Sequence, residues 1–137
     1  MSFDKMSSEA RAFIESFDWC DEIWEHYVGL AVPGVVGVFL FGISPSKPDV
    51  DEWIWVVVGD LPPAYLTTDD APNPATALDS YIGAMEDWVT AVREGQSTDE
   101  LIPVNVAPDH EHAEMLASRL KFLDEKVLAE YKDDLRA

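Results

Sequence analysis

Apolar residues recur along this chain in two rhythms, and the change from one to the other marks out its elements. Phe13, Phe17, Cys20, Trp24, Tyr27 and Ala31 follow one another at steps of three and four. That spacing puts them on one face of an α-helix, so it predicts a first helix over about 8–31. Pro33-Gly34 would end it. "VVGVFLFGI" (35–43) is short, β-branched and aromatic, which reads as a strand. "SPSKPDV" follows as a turn. "EWIWVVVG" (52–59) is a second strand, antiparallel to the first. Both of its faces are apolar, so it should be central or covered by helices.

The remainder is punctuated by proline. "DLPPAYLTTDDAPNP" (60–74) holds four prolines and reads as a loop with room for a short extended piece. A helix over 74–94 is well marked. Asn73 can cap it and Pro74 fits its first position. Leu78, Ile82, Met85, Val89 and Val92 form its stripe, and Gly95 fits just past its end. A third strand is expected near 101–106, at an edge because of Pro103. A last helix is expected over about 108–135, with Leu116, Leu120, Leu123, Val127 and Tyr131 inward. The elements amount to an α+β fold in one domain: a small antiparallel sheet packed with three main helices.

The run from Tyr27 to Ser46 has no charge over twenty residues, long enough to be weighed as a membrane span. Pro33-Gly34 interrupts it, and only Lys47 stands near its ends as a positive anchor. A helix end followed by a buried strand is the better account. The start, "MSFDKMSSEAR", has no cationic stretch followed by an apolar one, so no secretory signal is expected. Cys20 is alone, which rules out an internal disulfide and suits a cytoplasmic location.

Charge changes the picture most. The 137 residues carry 27 acids against 9 bases, a formal −18. Nucleic acid and anionic membrane are therefore disfavoured as partners. The excess peaks between Asp49 and Glu100, where Arg93 is the sole base among twelve acids. Asp49, Asp51, Glu52, Asp60, Asp69 and Asp70 are the candidate contacts for a basic partner. Asp49, Asp51 and Glu52 also have the chemistry for calcium or magnesium, but without EF-hand spacing they read as charges that keep strand ends soluble.

Two clusters have metal-ligating residue types. In "PDHEHAE" (108–114), His110-Glu111 begins a zinc-protease pattern, but Glu114 stands where the second histidine belongs. His112 points away from the His110–Glu114 face, so the stretch is expected to open a helix and bind no metal or other cofactor. The competing reading is a metal-dependent enzyme or small-ligand binder, with His110 and Glu114 joined by His26 or Glu22. Glu22 and His26 lie four apart, which on a helix is one face and suits a metal or a proton-transfer pair. Trp53, Trp55 and Tyr65 are candidates for an aromatic ligand pocket, set against a plain core role. Phosphate-loop glycine spacing, "GxSxG" and basic nucleic-acid patches are all missing.

The stretch "WIWVVVGDLPPAYLTTDDAPNPATAL" resembles a family of small bacterial proteins of unknown function. The shared features are an aromatic strand, "GDLP", a tyrosine near Tyr65, and a helix-opening proline. The resemblance spans about the middle third of the chain. It implies a bacterial cytoplasmic origin and no activity, cofactor or catalytic residue. The chain is shorter at its C-terminal end than that family.

Charge physics favours a non-enzymatic acidic module that steers a basic protein partner. Bacterial immunity proteins, which neutralise basic nuclease toxins, and nucleic-acid mimics share that physics by analogy. A homodimer is compatible with either reading, and its sign would be an exposed apolar patch on the first helix.

Overall fold

The strand β3 (Trp53–Gly59) sets the layers. Trp55 and Val57 face one way and Ile54, Val56 and Val58 the other, and all five are buried. Such a strand needs cover on both sides. The computed structural model, which describes residues 3–17, 20–45, 52–68, 71–102, 104 and 106–131, provides it. A four-stranded antiparallel sheet runs in the order β1 (Cys20–Val32), β2 (Val36–Pro45), β3, β4 (Ala64–Thr67). Helix α1 (Phe3–Glu15) covers one face, where Met6, Ala10 and Ile14 meet Phe39, Phe41, Ile43, Ile54, Val56 and Val58. Helix α2 (Pro74–Arg93) covers the other, with α3 (His110–Phe122) packed against it. The α+β reading with three helices on an antiparallel sheet is what is seen.

The central helix matches its sequence signals closely. Asn73 Oδ1 accepts from the Thr76 N–H at 2.9 Å, and Thr76 Oγ1 accepts in return from the Asn73 N–H at 3.1 Å. Pro74 follows at the first position, where a missing N–H costs no helical bond. At the far end Gly95, with φ +70°, donates to Val92 and Gln96 donates to Ala91. These are the two bonds of a Schellman stop. Leu78, Ile82, Met85, Val89 and Val92 are all buried, and so are Tyr81 and Trp88.

Three expectations are corrected. The first helix does not extend over 8–31: it ends at Glu15, and residues from Cys20 onward form β1. The helical spacing marks no single face here: Trp24 and Tyr27 lie with Trp53 on the α2 side, while Cys20 and Ala31 pack with the α1 cluster. β1 shifts register against β2 between Cys20 and Glu22, Ile23 and Glu25, and Val28 and Leu30. Each irregularity breaks strict alternation. Tyr27 opposite Leu40 and Leu30 opposite Val38 thus share the α2 side although three residues apart. Pro33-Gly34 is consequently a hairpin turn, with Val35 N–H donating to the Val32 carbonyl at 2.9 Å and Gly34 at φ +81°. Proline then positive-φ glycine is the type II pattern. The charge-free run from Tyr27 is this hairpin, and no described helix is long and apolar enough to cross a membrane.

The second correction concerns the sheet's edge. The described residues of the 101–106 stretch are not a strand, and Pro103 lies outside the described residues. β4, from the proline-rich loop, takes the edge beside β3. The third concerns the last helix. Asp109, not a residue before Pro108, caps α3, so Pro108 stays outside the helix. After Phe122 the backbone widens into a π turn (Leu123–Val127) and tightens into a 3₁₀ turn (Leu128–Tyr131). Leu123, Val127 and Leu128 of these turns are buried in the core.

Candidate functional site

All described acidic side chains stay at the surface, since no charged or polar side chain among the described residues is buried. The candidate partner contacts do not form one cluster. Glu52 is exposed at the start of β3 and Asp60 is exposed just past its end, so the strand separates them. Asp49, Asp51, Asp69 and Asp70 lie outside the described residues. The acidic surface that the structure does assemble is the outer side of α2. Asp79, Glu86, Asp87 and Glu94 are exposed there or just past its end, at steps of seven, one and seven that keep them on one broad helix face.

Among the bases near that stripe, Lys121 shares a surface pocket with Glu86 and Arg93. Arg93 Nε and Nη2 donate to Glu114 Oε1 and Oε2 at 2.7 and 2.9 Å. Arg11 donates to Glu15 at 2.8 Å, and Arg119 to Asp60 at 3.3 Å. Every described arginine is thus held by a carboxylate of the same chain. Hydrogen bonding from Arg93 keeps the Glu114 carboxyl below the usual range, and the guanidinium's charge adds to this.

The aromatic candidates also part company. Trp55 is core: 5% exposed, with its indole N–H donating to the Ala71 carbonyl at 2.7 Å. Tyr65 opposes Val56, on the α1 face, and its ring meets Phe17 edge-on at 5.2 Å. Trp53 shares the α2 side with Trp55 but lies nearer the open end of the sheet. No single pocket joins the three. Tyr65 instead lines an open groove of about 960 Å³ at the β4 edge, beside Phe13, Phe17, Trp88, Leu101 and Ile102.

The metal candidates are dispersed. Glu22 and His26 belong to strand β1, where a separation of four residues spans about 13 Å rather than one helical turn. His26 lies beside Phe41, on the α1 face. His110 opens α3, on the other side of the sheet. Glu114 is taken by Arg93. His112 Nδ1 lies 2.8 Å from Asp109 Oδ1, and that same oxygen accepts the His112 backbone N–H at 2.9 Å. The backbone bond, helped by the His112 side chain, lowers the Asp109 carboxyl. Among the described residues no three His, Cys, Asp or Glu side chains gather as a metal site.

One feature of the surface was hidden by the helical reading of residues 8–31. Trp24 and Tyr27, 42% and 51% exposed, lie on β1 and bracket Trp53. The Trp24 ring meets Trp53 edge-on at 4.8 Å, and Tyr27 stacks on Trp53 at 6.3 Å. The exposed apolar patch sought on a first helix is therefore on an edge strand. Its signal in the sequence is the set of β-formers Ile23, Trp24, Tyr27 and Val28 around Glu25.

No protein-family model, curated protein or solved structure matches the chain.

Proposed function

We propose that this protein is a non-enzymatic acidic interaction module that binds a basic protein partner, in the manner of an immunity protein. The observation that carries the reading is the outer stripe of α2. Asp79, Glu86, Asp87 and Glu94 face solvent while every described arginine is already bound to a carboxylate. A predominantly acidic surface on a stiff helix attracts a basic partner over roughly a Debye length, about 8–10 Å at ordinary salt. It repels nucleic acid.

Capture from lysate tests this reading, with wild type and a variant carrying Asp79→Asn, Glu86→Gln, Asp87→Asn and Glu94→Gln. Wild type should retain a basic protein at low salt and release it as salt rises. The variant, with an unchanged circular dichroism spectrum, should retain much less. Recovery of no basic protein, or of one indifferent to salt, would count against the reading.

The groove beside Tyr65 favours a second reading, binding of a small apolar ligand. Its floor of Phe13, Phe17 and Tyr65 is aromatic and its volume is in the range of ligand sites. Fluorescent apolar probes that compete with one another, and that Phe17→Ser excludes, would support it.

A further inference from the structure

We propose that the open end of the sheet's α2 face, formed by Trp24, Glu25, Tyr27 and Trp53, is the surface that receives an arginine side chain of the basic partner. This rests on the reading of the protein as a binder of basic proteins and names where the contact is made.

The patch exists because two glycines shape it. Gly29 lets the N-terminus of α2 come down on the sheet: a Cβ there would lie 2.9 Å from Pro74 and from the Trp55 ring. Cover by α2 therefore begins at Pro74, and β1 residues nearer its start lack it. Gly42 lies between Glu25 and Trp53 in the strand pairing, and the end of the Trp24 indole rests over it. A Cβ at Gly42 would meet that ring at 2.9–3.1 Å, so only glycine lets Trp24 lie across the sheet against Trp53. The result is an aromatic patch in which Trp24 and Tyr27, each about half exposed, both contact the Trp53 ring.

The chemistry of the patch selects a cation. Glu25 and Tyr27 are two apart on one strand, opposite Gly42 and Leu40, and so share a face. The carboxylate stands beside the Tyr27 hydroxyl. No strand of the sheet contains a lysine or arginine. His26, the nearest basic residue on β1, turns to the other face toward Phe41. Exposed aromatic faces with an adjacent carboxylate, and no lysine or arginine on the strands that carry them, complement a guanidinium, which is planar, stacks on rings and pairs with carboxylates. A second copy of the chain is a poor fit. It would bring Glu22 and Glu25 of each copy toward the same strand edge, on a molecule of net charge −18.

The test uses the full chain and a hexa-arginine peptide, with hexa-citrulline as the uncharged isostere. Indole N–H signals of the five tryptophans, assigned through single Trp→Phe variants, report the contact. Hexa-arginine should shift the Trp24 and Trp53 signals and leave buried Trp55 and Trp88 in place. Hexa-citrulline should shift none. Tyr27→Ser and Glu25→Gln, both at exposed positions, should each weaken binding by roughly two- to thirtyfold, the span of one cation–π or charge contact. The α2 stripe variant should still show the Trp24 and Trp53 shifts. If calorimetry shows binding and only α2 amides move, the inference fails while the acidic-module reading stands. If hexa-arginine does not bind at low salt, both fail. If the same indoles shift with protein concentration alone, alongside sedimentation as a dimer, the face belongs to a second copy and the inference is overturned.

Discussion

Arg93, in the last turn of α2, holds Glu114 of α3 through two hydrogen bonds of 2.7 and 2.9 Å, and so ties together the two helices that cover one face of the sheet. The pair is about half exposed on both sides, so solvent screens it and its effect on stability is small. Its direction with pH is nonetheless definite. The folded-state Glu114 pKa is lowered, first by hydrogen bonding from Arg93. The pair's contribution is therefore present above the unfolded glutamate value, about 4.3, and is lost as pH falls through the lowered folded value. Glu114→Gln should lower the melting temperature slightly at pH 7, by a difference that shrinks as pH falls below the unfolded glutamate value. A difference that grows toward acid would contradict the assignment.

Trp55 joins β3 to the loop ahead of α2 through its bond to the Ala71 carbonyl, and both residues are buried. Trp55→Asp would place a carboxylate between sheet and helix and should cost several kcal/mol, toward the upper range for single changes. Trp55→Phe keeps much of the packing but leaves that carbonyl unmatched, for about 1–3 kcal/mol. Urea denaturation should rank them wild type, Phe, Asp. An unchanged midpoint for Trp55→Asp would mean that β3 is misplaced.

Two glycines should respond in opposite directions to the same substitution. Gly83 lies on the exposed face of α2 and a Cβ there meets nothing within 4 Å, so Gly83→Ala should stabilise by about 0.5–1 kcal/mol. Gly29→Ala drives a methyl to 2.9 Å from Pro74 and Trp55 and should destabilise by about 1–3 kcal/mol. Thermal melts of the two variants decide it. Gain at Gly29 would show that α2 does not bear on β1 there.

The "PDHEHAE" stretch should behave as a helix start. Asp109 caps α3 and pairs with His112, while His110 and Glu114 have no third ligand among the described residues. Replacing His110 and His112 by Gln should leave the neutral-pH melt close to wild type, with or without zinc or EDTA. EDTA lowering the wild-type melt by many degrees, but not that of the double variant, would make this a metal site.

Local signals carried α2 almost completely. Asn73, Pro74, the Leu78–Val92 stripe and Gly95 act within a few residues of one another, and capping and helical periodicity are properties of such short stretches. The two apolar faces of 52–59 likewise demanded helices on both sides of the sheet, because an apolar surface must be covered wherever the covering elements come from. The charge excess, too, is composition and needed no fold.

Contacts between distant segments decided the rest. Residues 20–32 have helical spacing in isolation, and only pairing with β2, irregular at three points, turns that spacing into a strand. The edge beside β3 could be filled by 101–106 or 64–67, and a strand's place is set by what pairs with it, not by its own few residues. Glu22 with His26, Glu52 with Asp60, and Trp53 with Tyr65 each looked like neighbours along the chain. Strand geometry set the first two pairs apart, and the sheet lies between Trp53 and Tyr65. The aromatic patch of Trp24, Tyr27 and Trp53 arises only when β1 and β3 flank Gly42, eighteen residues from Trp24, fifteen from Tyr27 and eleven from Trp53 along the chain, a juxtaposition that exists in the sheet and nowhere in the linear order.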